Sequence, residues 1–80
     1  MKIQILGTGC PKCRTLESNA KEALAETDLD AEIVKVSDIN EIMEFGVLMT
    51  PALAIDGDVK SSGKILTKNQ IIDILNNYNN

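Results

Sequence analysis

A chain of 80 residues with 44% hydrophobic and 25% charged side chains suffices for one globular domain spanning residues 1–80. Its formal net charge of −4 leaves no positive surface for nucleic acid or anionic membranes. The lack of histidine excludes Ser-His-Asp and Cys-His catalysis and every His-containing metal site.

Lys2 to Leu6 reads as a first strand with Ile3 and Ile5 on one face. This stretch is too short and too alternating for a secretory leader. No apolar run approaches the roughly 20 residues of a membrane span, so the expected location is the cytoplasm. Gly7-Thr8-Gly9 breaks the strand, and a helix starts at Cys10-Pro11-Lys12-Cys13, with Cys10 as N-cap and Pro11 at the first helical position. Cys13, Leu16, Ala20 and Leu24 form its apolar face; Glu17, Lys21, Glu22 and Glu26 lie largely elsewhere, and the helix ends near Asp28. Ala31 to Val36 is a second strand. Asp38 and Glu41 form a capping-box pattern for a second helix, with Ile39, Ile42 and Met43 as its buried stripe and Gly46 at C′. Ala52–Ile55 and Asp58–Ser62 are strands joined by an Asp56-Gly57 hairpin turn that Gly63 closes off. Thr67 and Gln70 repeat the capping-box pattern, Leu66 and Ile71 form a hydrophobic staple, and Ile71, Ile74, Leu75 and Tyr78 face inward on the last helix. The polar tail, Asn76-Asn77 and Asn79-Asn80, is expected to fray. The order β-α-β-α-β-β-α, with a parallel start and an antiparallel hairpin, predicts an α/β fold: a three-layer α/β/α sandwich around a four-stranded mixed sheet.

The two cysteines are too few for a disulfide scaffold, and a bond across so small a loop stabilises little. The pair suits chemistry better. Cys10 at the positive end of a helix dipole, with Lys12 and Arg14 nearby, is placed to be a thiolate and the attacking nucleophile. Cys13, one turn in on the apolar stripe, is placed to be the resolving thiol. Pro11 and Lys12 lie between the two cysteines, with Lys12 acting as local charge. The competing chemistry is two-coordinate Cu(I), which soft thiolates select, as in a small copper metallochaperone. Met43 and Met49 read as core gap-fillers rather than metal ligands, although Met49, just before Thr50-Pro51, also suits a substrate groove.

Strand, Cys10-Pro11-Lys12-Cys13, helix, Thr50-Pro51 before a strand, and Gly63 after a hairpin together resemble the thioredoxin superfamily. The likeness is to its glutaredoxin-sized form, above all the short prokaryotic redox-active disulfide proteins or small thioredoxins. The resemblance covers nearly the whole chain. It implies a cis Pro51 packed against the cysteines and a Thr50 backbone that binds substrate. It also implies disulfide exchange with protein substrates, Cys10 and Cys13 forming the redox-active disulfide, with no cofactor or metal. The protein would act as a monomer recycled by an unidentified reductase. The pattern departs from the family at four points. Gln4 stands where thioredoxins carry a buried Asp. Gly9 precedes Cys10 where they carry Trp. Lys12 replaces the glutaredoxin Tyr, and Ser61-Ser62-Gly63-Lys64 lacks the acidic pair that grips glutathione. Copper chaperones share the Cys-x-x-Cys position, but their order is β-α-β-β-α-β, which ends in a strand.

Overall fold

In the computed structural model, which describes residues 1–9, 11–28 and 30–78, every segment with a clear period or turn signal takes the expected form. β1 (Lys2–Leu6), α1 (Pro11–Thr27), β2 (Glu32–Val36), α2 (Ile39–Glu44), β3 (Ala52–Ile55), β4 (Asp58–Ser62) and α3 (Lys68–Tyr78) follow in the expected order. The expectations for Cys10 and for Asn79-Asn80 lie outside the described residues, whereas Asn76-Asn77, expected to fray, continue α3.

The sheet has the order β2-β1-β3-β4. β1 pairs parallel with β2 and antiparallel with β3, and β3 pairs antiparallel with β4, so the sheet is mixed. Side chains alternate across it. Ile3 and Ile5 of β1 with Leu53 and Ile55 of β3 point to one face, where Leu16, Ala20 and Ala23 of α1, Leu66, and Ile71 and Leu75 of α3 cover them. Leu6, Val36, Ala52 and Ala54 point to the other, against Ile42 and Val47. This is the three-layer α/β/α arrangement.

Local chemistry sets the element ends. Asp56 (φ 51) and Gly57 (φ 86) both take positive φ, the type I′ geometry that matches strand twist in a two-residue hairpin. The α3 capping box forms in full: Gln70 N donates to Thr67 Oγ1 (3.2 Å) and Thr67 N donates to Gln70 Oε1 (2.9 Å). Leu66 and Ile71 are both buried in one cluster, as a staple requires. Lys68–Glu26 (3.0 Å) and Asn19 Nδ2 donating to Leu66 O (2.9 Å) tie the entry of α3 to α1.

Three expectations are corrected. In α2 only Ile42 is buried; Ile39 is 61% and Met43 66% exposed. A helix of six residues over the small side chains Ala52 and Ala54 turns little more than one apolar position into the sheet. Its cap is simpler than expected too: Asp38 Oδ1 accepts from Asn40 N (2.8 Å), without a reciprocal bond from Glu41. In α1 the last fully buried position is Ala23, whereas Leu24 is partly buried and packs at the margin of the same cluster.

Candidate active site

Pro11 opens α1 with its φ already set and no N–H to satisfy. Thr15 Oγ1 donates to Pro11 O (3.1 Å). The first turn holds the exposed Lys12 and Arg14 and no acid. Two cations and the helix dipole therefore add at the same point, and both favour an anion such as a thiolate.

Cys13, the third residue of α1, is 5% exposed and faces the sheet, as its place on the apolar stripe predicts. Gly7 makes that position possible. A Cβ built on Gly7 would overlap the Cys13 sulfur and stand 3.1 Å from its Cβ, so only glycine permits this approach. Gly7 N donates to Val36 O (2.9 Å), which fixes the turn as an extension of the β1–β2 ladder.

The Thr50–Pro51 bond is cis. Pro51 is buried and Thr50 exposed. Leu6 pairs with Ala52 across β1 and β3. One further step along that antiparallel register sets Pro51 opposite Gly7, the residue the Cys13 sulfur abuts. Pro51 and Gly7 thus lie at the same end of the sheet, where Gly7 abuts Cys13. Pro51 O accepts from Gly63 N (2.9 Å), and Met49 rests on Gly63, whose φ of +71° and missing side chain leave it room. Met49 is 65% exposed, so the core-filling reading gives way to a surface position, and the same holds for Met43.

On the β2 side of Cys13 a cleft of about 170 Å³ is lined by residues that include Gly7, Cys13, Arg14, Glu17, Lys35 and Ser37. The Glu17 side chain is only 14% exposed, with Oε1 3.3 Å from Lys35 Nζ and Oε2 3.6 Å from Lys21 Nζ. Sequence reading placed Glu17 on the solvent face and passed over Lys35. The available signal was the i, i+4 spacing of Cys13 and Glu17; Lys35 joins them only through the pairing of Ile5 with Lys35. Gln4, at the position of the absent acid, takes no part: its Oε1 accepts from Gly57 N (2.7 Å) in the hairpin turn, on the opposite face of the sheet from Ile5.

A mixed four-stranded sheet between helices, with Cys13 buried in the first turn of the first helix and a cis proline leading into β3, is the thioredoxin-like plan. Comparison with known proteins agrees. The family model described as "Thioredoxin domain" matches residues 1–76. Thioredoxin of Methanothermobacter thermautotrophicus is 47% identical over 75 residues, covering 94% of this chain and 97% of that protein. Thioredoxin of Methanocaldococcus jannaschii is 47% identical over 76 residues, covering 95% and 87%. The chain belongs to the thioredoxin-domain family and is a redox protein of the thioredoxin type. None of its described helices is long and apolar enough to cross a membrane.

Proposed function

We propose that this protein exchanges disulfides with protein substrates through Cys10 and Cys13. The observation that carries the reading is the placement of Cys13: sulfur buried against Gly7 in the first turn of α1, across the sheet register from cis Pro51. A thiol held there is shielded from solvent, yet lies within three residues of Cys10 along the chain. Cys10 thiolate attacks a substrate disulfide, one substrate sulfur leaves as thiolate, and a mixed disulfide forms. Cys13 then attacks the Cys10 sulfur, releasing the second substrate thiolate and closing the Cys10–Cys13 disulfide. A reductase reopens it. Lys12, two residues from Cys10 in the chain, adds positive charge that favours a thiolate, and Thr50 with Met49 offers the substrate an exposed edge before Pro51.

The test is reduction of a protein disulfide with a recycling reductant. Cys10→Ser abolishes turnover, and Cys13→Ser accumulates a covalent protein–substrate adduct visible on a non-reducing gel. Full activity in Cys10→Ser overturns the reading. A competition titration of the reduced protein with Cu(I) addresses the metallochaperone alternative: tight one-to-one binding would favour it. The final helix α3, where a copper chaperone of this size ends in a strand, supports the redox reading.

A further inference from the structure

Resolution of the mixed disulfide requires Cys13 to lose a proton. Thiols ordinarily hold theirs until about pH 8.5, so near neutral pH something must accept it as the sulfur attacks. The groups around Cys13 limit the choice. Arg14 and Lys35 line the same cleft as cations and cannot accept a proton. Ser37 can pass one on but not keep it. Gln4 is committed to the hairpin turn. Glu17 remains: a carboxylate one helical turn beyond Cys13, withdrawn from solvent to 14% exposure and lining the cleft that Cys13 lines. At about 30 Å³ per water molecule, the cleft volume of about 170 Å³ accommodates a short water bridge between the two groups.

We infer that Glu17 is the proton acceptor for Cys13, working through the cleft beside the cysteine helix. The inference rests on the reading of Cys10 and Cys13 as the redox pair. As the Cys13 sulfur attacks Cys10, the Cys13 proton passes to the Glu17 carboxylate. The Cys10–substrate bond breaks, its electron pair leaves on the substrate sulfur, and the proton is then released to solvent or to that thiolate. In the reverse sense, when a reductase opens the Cys10–Cys13 bond, protonated Glu17 returns a proton to the departing Cys13 sulfur. Lys35 and Lys21 both pair with Glu17, so a lysine contact to the carboxylate is left if either one is lost. The charged groups facing Glu17 are Arg14 and Lys21 from α1 and Lys35 from β2, the strand at whose edge it lies.

The experiment follows the reduced protein with an aromatic disulfide that releases a coloured thiolate. The first release reports formation of the mixed disulfide, and the second reports attack by Cys13. Glu17→Gln slows the second phase about 10²-fold near neutral pH, the low end of general-base contributions. The deficit closes as pH rises above the thiol range, where Cys13 ionises unaided. Lys35→Gln keeps the carboxylate and stays within a few-fold of wild type. Thermal melts show both variants folded. A Glu17→Gln profile parallel to wild type at every pH overturns the inference, and so does an equal loss in Lys35→Gln, which would assign the effect to the ion pair. Absence of any second phase in the wild type would instead overturn the redox-pair reading itself.

Discussion

The two faces of the sheet are built to different standards. On the α1/α3 face, Ile3, Ile5, Leu16, Leu53, Ile55, Ile71 and Leu75 are almost wholly excluded from solvent. On the α2 face the strands present Leu6, Val36, Ala52 and Ala54, only Ile42 and Val47 are buried over them, and Phe45 and Val59 pack at the margin. The large side chains omitted from that packing stand in solvent: Ile39, Met43, Leu48 and Met49. One face holds the fold. The other, with the connector running into Thr50-Pro51, leaves apolar surface available for contact.

The largest expected effect tests the first half of that contrast. Leu16→Ala opens a cavity between α1 and the sheet where the surrounding residues are interlocked, and it should cost about 2–5 kcal/mol by denaturant unfolding. Ile42→Ala falls at the lower end of the same range, because one short helix over two alanines collapses more readily into the space. Equal costs at the two positions would mean that the faces share the load evenly.

Gly7→Ala comes next. The added methyl overlaps the Cys13 sulfur, so either α1 or the turn must move, at about 1–3 kcal/mol. The displacement falls on Cys13, the proposed resolving thiol. Release of the mixed disulfide should therefore slow more than its formation, measured as separate phases. A change in stability alone would break the link between Gly7 and the site.

The helix caps give a smaller effect. Thr67→Ala removes one bond of a reciprocal pair at α3 and should cost about 1 kcal/mol. Asp38→Ala removes the one side-chain bond at the start of α2 and costs less, since a helix of six residues on the lighter face contributes less to the folded state. The comparison of unfolding midpoints with unchanged slopes decides it.

These elements also show how far the chain could be read without coordinates. The hairpin at Asp56-Gly57, the α3 box at Thr67 and Gln70, and the α1 start at Pro11 depend on residues within four of one another, so local sequence specifies them. The α2 stripe was misjudged because Ile39, Ile42 and Met43 have helical spacing whatever lies beneath them; the width of the covered stripe depends on Ala52 and Ala54, which arrive later in the chain. The site divides the same way. Burial of Cys13 follows from its own helix, while the meeting of Cys13 with Gly7, and of Glu17 with Lys35, depends on how β1 registers with α1 and β2. No spacing along one element reveals it.

The smallest effect on stability bears on the second half of the contrast. Leu48 is 98% exposed and Met49 65%, so replacing either by Ser removes little buried surface and should shift unfolding by no more than about 0.5 kcal/mol. Neighbouring exposed apolar side chains in the segment leading into Pro51 are nonetheless costly to leave in water, unless a partner covers them at times. A protein substrate draped over Thr50-Pro51 would bury both, whereas a small aromatic disulfide is too small to reach them and Cys10 together. Leu48→Ser and Met49→Ser should therefore raise KM several-fold for a protein disulfide while kcat/KM for the small disulfide stays unchanged. Met43→Ser, on the exposed side of α2, serves as the control: if it raises KM equally, recognition spreads over the whole α2 face; if only Leu48 and Met49 matter, it is confined to the segment leading into Pro51.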